Sequence, residues 1–190
     1  SVIAIFDAVS NPADAWKITA AFEGLGKALF ALDLKSYMER VGAFVKAIFD
    51  AVTNPADAWK ITAAFKGLGN ALFDFINMNG DRAYDKTKAF IEAIFANAQE
   101  AWQITAAFKG LGEALFEFSL NHSLDQFKDV ANIFIKAIFN AENATPENIT
   151  AAFKGLGQAL FDFIGKYGDK SYAATKIFIE AIFTNAKDLD

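Results

Sequence analysis

The string Ile-Thr-Ala-Ala-Phe, followed by Glu or Lys and then Gly-Leu-Gly, occurs four times, starting at Ile18, Ile61, Ile104 and Ile149. The intervals are 43, 43 and 45 residues. Such a chain must fold as a tandem set of similar units, because every unit carries the same apolar pattern and needs the same kind of neighbour. A second string, Ala-Ile-Phe, has its Ile at 5, 48, 94, 138 and 182. Each unit of roughly 44 residues therefore holds two signature segments, A and B, the size of a two-helix repeat.

A longer period lies inside the short one. Asn70-Ala-Leu-Phe-Asp-Phe-Ile is matched by Gln158-Ala-Leu-Phe-Asp-Phe-Ile, and Gly80-Asp81 by Gly168-Asp169, at a spacing of 88 residues. The expected organisation is one helical domain over 1–190, with a half unit at 1–10 and units at 11–53, 54–96, 97–140 and 141–190. Ser1-Val-Ile-Ala-Ile-Phe6 matches only the second half of a B segment and has no initiator Met. It reads as a processed product or a fragment of a longer array, which favours a processed or secreted product over a cytoplasmic one.

Segment A reads as a helix. Asn54-Pro55-Ala56-Asp57 and Asn11-Pro12-Ala13-Asp14 supply an N-cap, a proline and a first-turn acid. Ile18, Phe22, Leu25, Leu29 and Leu32 form a stripe at spacings of 4, 3, 4 and 3, the pattern of an amphipathic helix. Ala21, Gly24, Ala28 and Ala31 lie to one side of it and Phe30 to the other, with Trp16 further round. A helix apolar on three sides sits between neighbours. The expected contact places the Phe knob of one unit (Phe30, Phe73, Phe116 or Phe161) in the Ala/Gly hollow of the next, with Trp16, Trp59 and Trp102 repeating outside. Segment B has a single buried stripe, Tyr37, Val41, Phe44, Ile48 and Val52, widened by Val45 and Phe49. Opposite it, Lys46, Glu92, Lys136 and Glu180 alternate in sign, which would pair stacked B helices.

The glycines are costly. Gly24, Gly67, Gly110 and Gly155 are each followed two residues later by another. At about 1 kcal/mol apiece against Ala in a helix interior, the eight cost roughly 6–8 kcal/mol, comparable with a domain's net stability. Close packing of a neighbour's Phe, a break in helix A, or close approach of a ligand would each offset that.

In its paired helices and unit length the chain resembles the HEAT- and armadillo-like α-solenoids. The resemblance is architectural. It implies an all-α fold of four to five stacked hairpins that binds protein or peptide on a concave face, and it carries over no binding residues.

Chemistry is sparse. With no Cys and one His, His122 in a turn, the chain lacks a thiol nucleophile and a His/Cys metal set. Its carboxylates lie on charged faces, without the contrasted pair of environments that acid–base work needs. Gly-Leu-Gly lies mid-helix with no preceding strand, unlike a dinucleotide fingerprint. No catalytic residue, metal or cofactor is expected, and no enzyme. A net charge of −5 disfavours nucleic acid, although Lys66, Lys109 and Lys154 form a row on A. Mean hydropathy is +0.20, but no window of about 18 residues is free of polar groups, so no transmembrane segment is expected. Asn121, Asn143 and Asn148 match the glycosylation pattern, and Asn148 equally suits a helix start. Two functions remain. One is a non-enzymatic structural or interaction repeat that self-associates or adjoins further repeats. The other is a carrier of lipid, carotenoid or another pigment, with 21 Phe and the small-residue strips lining a cavity. Under either, the contact candidates are Gly24, Gly67, Gly110, Gly155, the four knob phenylalanines and the three tryptophans.

Overall fold

The structure, a computed structural model, describes residues 2–186. Ser1 of the half unit and residues 187–190 of the last unit lie outside the described residues. Among the described residues the regular structure is helical, with no strand. The helices are α1 (Val2–Asp7), α2 (Ala15–Phe30), α3 (Leu34–Ala51), α4 (Ala58–Asn79), α5 (Tyr84–Asn97), α6 (Ala101–Asn121), α7 (Leu124–Asn140), α8 (Pro146–Tyr167) and α9 (Tyr172–Ala186). Segment A gives α2, α4, α6 and α8. Segment B gives α3, α5, α7 and α9, with α1 the short B piece at the start.

Local chemistry sets the boundaries. Asn11 and Asn54 each accept a backbone N–H two residues on at 3.0 Å, from Ala13 and Ala56. Each thereby starts a 3₁₀ turn (Pro12–Asp14 and Pro55–Asp57) that feeds the α-helix. Thr145 does the same job for α8 by accepting from Asn148 at 3.2 Å. Gly80 and Gly168 end α4 and α8 at φ of 57° and 55°, where a side chain would be strained. All four A helices run unbroken through Gly-Leu-Gly, so a break in helix A, one of the three ways of offsetting the glycines, does not occur.

The A helices pack successively, α2 on α4, α4 on α6 and α6 on α8. The B helices do the same, α3 on α5, α5 on α7 and α7 on α9. A and B meet through rings. Phe6 lies on Phe22, Phe49 on Phe65, Phe95 on Phe108 and Phe139 on Phe153, with centroids 5.5, 5.7, 5.8 and 5.5 Å apart and planes within 19–22°. In each pair a B residue covers the A helix that follows. Such contacts contribute about 0.5–1.5 kcal/mol beyond their buried area. The core runs continuously from Phe6 to Ala181.

Three expectations are corrected. The hollows beside Gly67, Gly110 and Gly155 are not filled by a Phe knob but by main chain of the preceding A helix. Phe30 instead meets Tyr37, Phe75 and Phe90, Phe73 meets Phe134, and Phe116 meets Phe127, Phe163 and Phe178. Leu25, placed in the core stripe, is 38% exposed, whereas its counterparts Leu68, Leu111 and Leu156 are fully buried. The alternating B-helix charges do not pair between helices: Lys46 bonds Asp50 at 2.5 Å, Glu92 meets Lys88 at 3.7 Å and Glu180 meets Lys176 at 3.8 Å, each within its own helix. Lys136 of α7 instead reaches across to α5, where its ammonium lies 4.7 Å over the Tyr84 ring.

Candidate functional site

The repeated motif builds one contact three times. The Thr19 hydroxyl donates to the Ala63 carbonyl, Thr62 to Ala106 and Thr105 to Ala151, each at 2.9 Å. One turn further along, the next helix presents its first glycine to the same stretch of backbone. A Cβ on Gly67 would lie 2.2 Å from the Thr19 carbonyl oxygen and 2.7 Å from the Glu23 nitrogen. On Gly110 it would meet Thr62 O at 2.3 Å, and on Gly155 Thr105 O at 2.2 Å. The second glycine faces the other way, with a Cβ on Gly26, Gly69 or Gly112 falling 2.9, 2.8 and 2.8 Å from the Ala71, Ala114 and Ala159 methyls. Ala63-x-x-x-Gly67-x-x-x-Ala71 thus lets two helices approach backbone to backbone. This contact accounts for six of the eight costly glycines, the exceptions being Gly24 and Gly157, where a Cβ would meet nothing within 4 Å. The threonine was not singled out from the sequence, although a polar residue held at one position in all four motifs was its signal.

Along the outer side of these seams lies an open groove of about 1210 Å³, lined by all four A helices. Ala15, Ala58 and Ala101 stand beside Trp16, Trp59 and Trp102, with the motif threonines including Thr150 next to them. Lys66, Lys109, Lys154 and Glu113 form a charged border. The Trp16 and Trp59 rings carry the Lys17 and Lys60 ammonium groups at 5.8 and 5.6 Å, and the Trp102 indole donates to Glu100 at 2.6 Å. Burial pushes the Glu113 carboxyl above the usual carboxylate range, and the Lys66 and Lys109 charges pull part of the way back. Lys66 also pairs with Glu117 at 2.9 Å. The groove therefore offers aromatic faces, methyl groups and scattered charge of both signs.

The candidate residues divide by place. Trp16, Trp59 and Trp102 line the groove. Gly67, Gly110 and Gly155 lie beneath it in the seams. Phe30, Phe73 and Phe116 are core residues, 1% exposed, whereas Phe161 is 71% exposed. Gly24 meets nothing within 4 Å. Among the glycosylation matches, the Asn148 amide donates to the Asn143 carbonyl at 2.8 Å and Asn121 donates to Glu117. His122 lies flat on Phe118 at 3.7 Å and its Nδ1 approaches the Phe118 carbonyl at 3.0 Å.

Among the described residues no group of three or more His, Asp and Glu is placed to hold a metal ion. No described helix is long and apolar enough to cross a membrane. No protein-family model matches the chain, and neither a curated protein nor a solved structure does.

Proposed function

We propose that the A and B helices form tandem hairpins, an α-solenoid with an 88-residue super-repeat, and that the chain is a non-enzymatic structural and interaction repeat protein. The observation that carries this reading is the ladder of equivalent groups along the groove, one set from each A helix. A surface with a period along its length suits a partner with a period along its own, and an extended polypeptide has one. Trp rings and methyls take its apolar side chains, while Lys and Glu at the border take its polar groups. The geometry is read as a binding face because the groups repeated along the groove are aromatic rings, methyls and hydroxyls.

Carriage of an apolar small molecule is the second reading. It is favoured by the Trp and Ala lining of the groove, and its place would be that groove and not the Phe-rich interior, where rings stack on rings. Native mass spectrometry of protein purified from its source separates the two. A protein or peptide partner, or multiples of the chain's own mass, supports the interaction repeat. A retained lipid or pigment supports the carrier. All three tryptophans line the groove, so either occupant should shift the intrinsic fluorescence.

A further inference from the structure

The two ends of the A row expose what its interior buries. On α2, Ala20, Gly24, Leu25 and Ala28 are exposed, whereas their counterparts on α4, α6 and α8 are buried. A Cβ on Gly24 meets nothing within 4 Å, and neither does one on Gly157 at the far end. On α8, Thr150 is exposed and its hydroxyl has no hydrogen-bond partner among the described residues, unlike Thr19, Thr62 and Thr105. Phe161 on α8 is 71% exposed and Phe183 on α9 72%, where Phe73 and Phe95 are buried.

We propose that a second copy of this chain docks end to end, α8 of one against α2 of the next, in the register of the three internal seams. The inference rests on reading the chain as an interaction repeat and names one partner for it. Thr150 then donates to the Ala20 carbonyl, Gly24 lies on the Thr150–Lys154 backbone, and Gly157 receives the Ala28 methyl. Charge agrees with this junction. In the row Glu23, Lys66, Lys109, Lys154 the last three are alike in sign, and the junction brings Lys154 of one copy beside Glu23 of the next, the opposite-sign order that Glu23 and Lys66 have inside the chain.

The B row imposes one further step. In the arriving copy the place next to α3 is held by α1, six residues long with Phe6 as its buried side chain. Both α1 and α9 carry Ala-Ile-Phe, so α9 of one copy displaces α1 of the next. Phe183 then covers Phe22 as Phe6 did, and the longer helix covers Leu25 and Phe44, which together with α1 line an open hollow of about 520 Å³. This contact joins two different faces, so each added copy presents a free face to the next and assembly continues beyond the dimer.

Sedimentation velocity of the full chain across concentration tests it. The expected result is a series of masses in multiples of 20.7 kDa extending beyond the dimer and weakened by salt. Gly24→Leu has room in the monomer, so it should melt at or above the parent's temperature yet sediment at 20.7 kDa throughout. A second variant reads the register. The chain has no Cys, and Ala28→Cys with Gly157→Cys places thiols at opposite ends, where oxidation can join only separate copies. A ladder of cross-linked multimers is expected. A parent that stays monomeric, a mass that stops at the dimer, or Gly24→Leu that assembles like the parent would overturn the proposal. A monomer that still retains a protein partner in native mass spectrometry would sink the end-to-end contact while leaving the interaction-repeat reading intact.

Discussion

At Gly67 a single methyl group would fall 2.2 Å from the Thr19 carbonyl oxygen, so the side chain's absence is what lets the helices meet. The threonine opposite contributes differently. Thr62→Val keeps the shape and removes the bond to the Ala106 carbonyl. It should cost about 0.5–1.5 kcal/mol in urea unfolding. Glu113 gives a pH-dependent effect. Burial raises its carboxyl in the folded state, so what it adds to stability is present when it is protonated and is lost as pH rises through that raised value. Glu113→Gln should therefore unfold at higher urea than the parent at pH 7, and the difference should vanish below the ordinary glutamate value of about 4.3. A variant less stable at pH 7 would mean that Lys66 and Lys109 outweigh burial. The glycines were conspicuous in the sequence because their cost was countable. What offsets the cost was not, since a Cβ excluded by a ring and one excluded by backbone leave the same residue.

Helix identity was legible throughout, because the 3.6 period of Ile18, Phe22 and Leu29 and the Asn-Pro starts both act within one helix. Which side of helix A meets which neighbour was not, because three apolar sides can be assigned in several ways and sequence spacing does not rank them. Contacts that differ from unit to unit were also hidden. Gln103 is buried, and its amide donates to the Phe49 and Val52 carbonyls at 3.2 and 2.9 Å while its oxygen accepts from Gln99 N–H at 2.7 Å. It thus ties the end of α3 to the start of α6. The equivalent position holds Lys60, which reaches the Phe6 carbonyl at 3.3 Å. Two chemistries serve one place, so no motif marks it. Gln103→Leu leaves those carbonyls without their partner and should cost about 1–3 kcal/mol, read as a lower denaturation midpoint. Lys86 is the other such link. It donates to the Phe30 and Leu32 carbonyls, while the Tyr37 hydroxyl donates to the Lys86 carbonyl at 2.7 Å. Burial lowers the Lys86 pKa and raises that of Tyr37.

Across the whole molecule, position along the row decides what a residue does. Leu25 and Leu68 stand in the same motif, yet one is 38% exposed and the other buried, because only Leu68 has an A helix before it. Periodicity alone treats all copies as equal, and for that reason it assigns the end residues Leu25, Gly24 and Phe161 to the interior. The same logic ranks glycine substitutions without regard to their identical surroundings in sequence. Gly→Ala at an exposed helix position should stabilise by up to about 1 kcal/mol, whereas a forced Cβ in a filled seam should cost about 1–3 kcal/mol or more. The most direct measurement is urea unfolding of four single variants, Gly24→Ala, Gly67→Ala, Gly110→Ala and Gly155→Ala, at a concentration where the chain is monomeric. Packing of A helices backbone to backbone predicts that the first matches or exceeds the parent while the other three all lose stability. Four equal changes, or no loss at Gly67, Gly110 and Gly155, would contradict it.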